Sequence, residues 1–193
     1  TRRSSDLILN GIEGKRIVCL ANLRLQKNHF FLLEVAQTIK KTHSDWSFHL
    51  VGKDFKDAYS QKIKEKLIEL NLEKTVFIYG SKNDVDAILN QSTIAILSSQ
   101  SEGLPVSLLE YGMQKMPVVV TDVGEISSLV QHAVNGFLVS SKDSKSFCEA
   151  LIQLIENDGL RKKMGFALYE EVNTTYSEAT IIQKYLVWLK SLK

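Results

Sequence analysis

"TIAILSSQSEGLPVSLLEYGMQKMPVVVTD", residues 93–122, reads in one pass as strand, loop, helix and strand. "TIAILSS" (93–99) and "PVVVTD" (117–122) are short, apolar and rich in β-branched residues, as strands buried on both faces are. "PVSLLEYGMQK" (105–115) between them has helical spacing. Proline disfavours helix at the residue before it, so Leu104 stays extended, and Pro105 suits a first helical position. Two strands joined through a helix imply parallel pairing.

Outward from this unit the alternation continues. "KRIVCLAN" (15–22), "WSFHLVG" (46–52), "TVFIYG" (75–80) and "GFLVS" (136–140) read as further strands. "KNHFFLLEVAQTIKKTH" (27–43), "DAYSQKIKEKLIELN" (57–71), "DVDAILN" (84–90) and "EISSLVQH" (125–132) read as helices. Three more helices close the chain, over 143–158, 159–176 and 177–193. Asp143 and Ser177 are their expected N-caps, and Gly159 is the expected stop of the first. Six strands separated by helices predict an α/β fold: a doubly wound, parallel, six-stranded Rossmann-like sheet with helices on both faces and extra C-terminal helices.

Composition bounds the function. The chain has 193 residues, 44% hydrophobic and 24% charged, and 24 Lys and Arg against 22 Asp and Glu give a net charge of +2. That is the balance of an ordinary globular domain, with no basic excess to draw nucleic acid. Cys19 and Cys148 lie in apolar segments without CxxC spacing and read as reduced core thiols of a cytosolic protein. No apolar run approaches the roughly 18 residues of a membrane span, and no signal peptide opens the sequence. The start, "TRRSSDLILNGIEG", lacks an initiator Met and suggests a fragment of something longer.

Open parallel sheets bind ligands at the carboxyl ends of their strands. The first strand is not followed by GxGxxG, no GxxxxGK[ST] occurs, and "LANLR" lacks the acidic pair of a phospho-receiver. The loop before Pro105 is more telling. Amides of Gly103, Leu104 and Val106 at the helix start suit an anion such as phosphate, and Gly103 permits close approach. Val106, Leu109, Glu110 and Met113 fall at i, i+3, i+4 and i+7, so Glu110 shares an apolar stripe. A buried carboxylate needs partners, and the hydroxyls of a bound sugar would serve. Alternatively, Glu110 pairs with a cation or turns outward, and Glu102 is a solvated loop residue.

"EGLPVSLLE" matches an E-x7-E pattern, with "QKNH" before it and "PVVVTDVGEISSLV…NGFLV" after it. With these stretches the chain resembles the retaining GT-B glycosyltransferases of group 1, which include capsular and lipopolysaccharide sugar transferases. The resemblance runs from about "KRIVCLANLRLQKNH" to the last helix and corresponds to the C-terminal, donor-binding half of such an enzyme. It implies a linker over 1–15 from an N-terminal acceptor domain and a nucleotide-sugar-binding domain over 16–176. The helix over 177–193 would pack back toward the acceptor domain.

The resemblance also implies roles. Glu110 would hold the ribose hydroxyls, and Glu102 the donor sugar near the reacting face. Lys27 would neutralise the diphosphate, and the stretch Gly103, Leu104, Pro105 and Val106, through the amides of its three non-proline residues, would frame sugar and phosphates. Gly80 and Ser81 would face the nucleobase. No metal or cofactor is implied; the donor is a nucleotide diphosphate sugar, UDP- or GDP-linked. The acceptor would be a saccharide or lipid-linked saccharide at the inner face of the membrane, with the enzyme cytoplasmic.

Departures stand beside the match. Asn22, in "ANLR", occupies the place of the family's diphosphate arginine, and Arg24 is the candidate substitute. The frequent Gly-Gly-x-x-Glu reads "GEISS", with Glu125 for the second glycine and Ser128 for the glutamate. A nucleotide-sugar epimerase of the same architecture and a non-catalytic nucleotide-sugar-binding module are the alternatives. "DVD" (84–86) imitates a metal-binding DxD, but Asp84 stands where a helix N-cap is expected. The four histidines show no ligand spacing, and His29 and His132 are expected on helix surfaces.

Overall fold

The computed structural model describes residues 7–191; residues 1–6 and 192–193 of the expected linker and last helix lie outside the described residues. Six parallel strands form one sheet: β1 (Arg16–Leu20), β2 (Ser47–Val51), β3 (Val76–Ile78), β4 (Ile94–Leu97), β5 (Val118–Thr121) and β6 (Phe137–Val139). Their order is β3-β2-β1-β4-β5-β6, so the chain winds outward from β1 in one direction, then returns and winds outward from β4 in the other. The centre of the sheet is apolar throughout, with Ile17, Ile94, Ile96, Val118 and Val119 fully buried. That burial on both faces explains why these strands do not alternate in sequence.

Helices α1 (His29–Thr42), α2 (Ala58–Glu69), α3 (Val85–Asn90), α4 (Val106–Met113), α5 (Ser144–Glu156), α6 (Asp158–Thr175) and α7 (Glu178–Ser191) surround the sheet. α1 packs against α2 and α5, where Phe31 meets Phe147 edge-on at 5.3 Å, and α4 packs against α6. Caps mark the starts. The carboxylates of Asp57, Asp84 and Asp143 each accept a backbone amide of the first turn, and Ser177 Oγ does so for α7. Among the described residues no helix is long and apolar enough to cross a membrane.

Several local expectations are corrected. Gly159 does not stop a helix: it lies inside α6, and the break falls at Asn157, whose Oδ1 accepts the Leu160 amide at 2.8 Å and so starts a new helix. The stretch 125–132 forms only a 3-10 turn, Ile126–Ser128. His132 is in no helix; its Nδ1 faces the backbone of Leu138 and covers the outer edge of β6. His29 is fully buried at the start of α1, because its amide and ring both face the Tyr59 hydroxyl rather than solvent.

Residues 7–15 lie against the domain. Leu9 is buried in the core, its amide donates to Gln91 Oε1, and Asn10 reaches the Tyr79 hydroxyl. His49, in the middle of β2, continues that contact: Nδ1 faces Tyr79 Oη at 3.0 Å and Nε2 faces Ser47 Oγ at 2.9 Å. Burial pushes both His29 and His49 down to about 4. Between pH 6.5 and about 4 the unfolded chain therefore binds protons that the folded one refuses. Stability is predicted to fall through that window as pH drops, by up to about 1.4 kcal/mol per pH unit for each histidine. Thermal melts from pH 7 to pH 4 test this, and His49→Gln should flatten the dependence.

Candidate nucleotide-sugar site

A cavity of about 440 Å³ opens at the carboxyl ends of β1, β2 and β4, across the point where the strand order reverses. Leu20, Ala21 and Asn22 line it from the end of β1, Val51 and Gly52 from the end of β2, Ser81 and Lys82 from the segment between β3 and α3, and Val85 from the first turn of α3. The opposite wall is Glu102 and Pro105 with Val106, Ser107 and Glu110 of α4, and Lys27 completes the lining.

Lys27 is the last residue of a 3-10 turn, and the chain turns sharply into α1 at Asn28, with φ 52°. Asparagine tolerates that left-handed conformation better than most residues. The turn is bound to the β4 loop: Ser98 Oγ donates to the Lys27 carbonyl at 2.8 Å and the Gln100 amide to the Gln26 carbonyl at 2.8 Å. The Lys27 ammonium is paired with the Glu102 carboxylate. Ser99 Oγ donates to the same carboxylate at 2.5 Å, and the Glu102 side chain is only 9% exposed. Glu102 is thus a held residue, not a solvated one.

The loop after β5 holds Glu102 from behind. Thr121 Oγ1 donates to the Ser99 carbonyl at 2.7 Å. Gly124 has φ +59°, and a Cβ on it would stand 1.8 Å from the Glu102 carbonyl oxygen. No side chain fits there. Gly124→Ala is predicted to cost about 1–2 kcal/mol in denaturant unfolding and to weaken any ligand held by Glu102.

Glu110 reaches the cavity by a different face than the stripe suggested. Val106 and Met113 are exposed, at 69% and 51%, whereas Leu108, Tyr111 and Gly112 are buried. α4 therefore packs on the far side of the assumed stripe, and Glu110 faces the cavity beside the exposed Val106. Among the described residues no side chain hydrogen-bonds to it and no cation pairs with it. Burial, then the nearby Asp86, raises its pKa. A carboxylate held without partners over a concave site is suited to receive hydroxyl donors.

Other candidates fall differently. Asn22 lines the cavity, but its Oδ1 accepts the Lys53 amide at 2.7 Å and so shapes the loop after β2. Arg24 lies outside the lining, its guanidinium 4.4 Å above the Phe55 ring. Gly103 and Leu104 do not line the cavity, and the Gly103 carbonyl accepts the Glu125 amide at 3.4 Å. Gly80, at φ +69°, makes the turn that presents Ser81, and its carbonyl accepts the Gly52 amide. Ser128 Oγ donates to the Glu125 carbonyl. Asp84 caps α3 and Asp86 accepts from Gln114.

Sequence reasoning missed Ser98, Ser99, Thr121 and Gly52. Gly52 carried a signal, a glycine ending a strand: a Cβ there would stand 2.2 Å from the Ala21 carbonyl oxygen. The three hydroxyls carried none.

The sequence profile of the family described as "Glycosyl transferases group 1" matches residues 10–170. A poly(ribitol-phosphate) alpha-N-acetylglucosaminyltransferase of Staphylococcus aureus (strain COL) is 29% identical over 157 residues, covering 80% of this chain and 31% of the relative. A UDP-Gal:alpha-D-GlcNAc-diphosphoundecaprenol alpha-1,3-galactosyltransferase of Escherichia coli is 30% identical over 139 residues, covering 68% and 34%. The crystal structure of an S. aureus TarM mutant in complex with Fondaparinux, alpha-GlcNAc-glycerol and UDP superposes with a TM-score of 0.83 at 26% identity, covering 93% of this chain and 37% of TarM. This chain spans about a third of the length of these relatives. The sheet is that of the C-terminal domain of GT-B glycosyltransferases. With a match over most of its length, the chain belongs to the glycosyl transferases group 1 family.

Proposed function

We propose that this chain is the donor-binding domain of a retaining glycosyltransferase that takes its sugar from a UDP-sugar. The observation that carries the reading is one cavity faced by Lys27, the start of α4 and an unpartnered Glu110. A ribose would give its hydroxyl protons to Glu110. The diphosphate would lie along the helix start, where amides and dipole favour anions. Lys27 would leave Glu102 for the diphosphate, and Glu102, released, would accept from the donor sugar. The named UDP of the TarM complex and the named donor of the E. coli relative support uracil as the base.

In the reaction, the bond from the anomeric carbon to the diphosphate oxygen breaks as an acceptor hydroxyl attacks the same face. Its proton passes to the leaving phosphate. Charge grows on the diphosphate, and Lys27 with the α4 amides is placed to stabilise it more in the transition state than before it. The acceptor would be a saccharide or a lipid-linked saccharide, a reading supported by the GlcNAc-diphosphoundecaprenol in the name of the E. coli relative. It would bind to a further, N-terminal domain, and α7, whose Ile181, Tyr185 and Trp188 are exposed, would pack toward that domain. Residues 16–176 would form the donor unit, with Leu9 and Asn10 of the preceding segment packed against it.

Calorimetric titration of the chain with UDP, GDP and ADP tests the reading. UDP is expected to bind more tightly than the other two. Equal binding of all three would remove the uracil assignment, and binding of none at millimolar concentration would remove the donor site.

A further inference from the structure

We propose that Tyr111 is a positioning residue that keeps the crevice between β1 and β4 open and sets the end of β1 relative to Glu110. The importance of that crevice rests on the donor-binding reading above. β1 pairs with β2 along its full length, Arg16 with Ser47 through Leu20 with Val51. Its pairing with β4 covers only Ile17 with Ile94 and Val18 with Ala95. Amides along a strand alternate between its two neighbours. The Ala21 amide donates to Val51 on the β2 side, so the Leu20 amide faces the β4 side. There it meets the Tyr111 hydroxyl, which accepts it at 2.6 Å.

The phenol thus takes the place of a ladder bond. Two parallel strands that stayed paired would close the switch-point crevice, and a buried amide left unmet at its mouth would be costly. Tyr111 is fully buried and follows Glu110 directly on α4, while Leu20 and Ala21 line the cavity. One hydrogen bond therefore links the strand end that forms the cavity floor to the helix that carries the ribose-facing carboxylate. Tyr111→Phe keeps the ring and its packing and removes only the acceptor.

The test has two arms on the intact chain. Without ligand, amide hydrogen exchange of Tyr111→Phe is expected to rise about tenfold or more at Leu20, with Ile17, Val18 and the Val51-bonded Ala21 still protected. In titration, UDP affinity is expected to fall about 3- to 10-fold, the loss typical of a displaced positioning group. Phe147→Leu, buried between α1 and α5 away from the cavity, serves as a control that lowers stability without changing UDP affinity. Unchanged exchange at Leu20 overturns the inference. So does faster exchange with unchanged UDP affinity, which would make the bond structural only. A wild type that binds no UDP sinks the donor reading alone, and the exchange arm still decides whether Tyr111 holds the crevice.

Discussion

Lys27→Ala is expected to weaken UDP binding about 30- to 150-fold. The figure corresponds to about 2–3 kcal/mol, the usual cost of losing a hydrogen bond between charged groups in a partly desolvated site. Lys27 is the single cation among the residues that line the cavity beside Glu102, and its ammonium is already held at the site by the carboxylate. Lys82, the other lysine of the lining, stands on the far wall with Ser81 and is exposed. Arg24, at the start of the turn that ends in Lys27, is engaged with Phe55 and does not replace Lys27. The substitution has a second effect, because Glu102 is left with Ser99 as its remaining partner. Stability should drop as well, and the double variant Lys27→Met, Glu102→Gln should recover stability without recovering UDP. Titration and melting on the two variants separate charge for the ligand from charge for the fold.

Glu110→Gln is expected to lose about 10- to 100-fold in UDP affinity while slightly raising the melting temperature. The opposite signs come from one cause. Burial raises the Glu110 pKa in the folded chain, so the ionised carboxylate costs stability at neutral pH, and the cost is relieved as pH falls through the folded-state value. Ribose hydroxyls donate to the ionised form and favour it. UDP binding by the wild type should therefore weaken as pH drops through that same range, and binding by the glutamine variant should not. Inorganic pyrophosphate, which has no ribose, should bind both equally. A glutamine variant that binds UDP as well as the wild type would remove Glu110 from the ribose site.

How much of this was legible in the sequence depends on the kind of contact. The sheet was, because strands such as "RIVCL" and "VVVT" are apolar without alternation and are separated by helical spacing. The helix start was legible to within one residue for the same local reason: Pro105, expected as the first helical residue, is the extended N-cap, and the helix begins at Val106. The orientation of α4 was not. Spacing places Val106, Leu109, Glu110 and Met113 on one stripe, but which stripe packs is decided by α6, where Leu168 and Val172 meet Gly112. A small residue on one face lets a neighbouring helix approach, and that signal outweighed the larger apolar residues on the other. The Lys27–Glu102 pair was equally hidden, since the two lie 75 residues apart and meet only because β1 and β4 are neighbours. His29 looked like a surface residue because its burial comes from Tyr59, a residue of α2.

If Lys27, the start of α4 and Glu110 together receive a nucleoside diphosphate, a crystal structure of the chain grown with UDP will show it. The diphosphate is expected within hydrogen-bond distance of Lys27 Nζ and the first amides of α4, the ribose hydroxyls on Glu110, and the Lys27–Glu102 pair parted. UDP bound elsewhere, or bound in this cavity with Glu110 untouched and the pair intact, would contradict it.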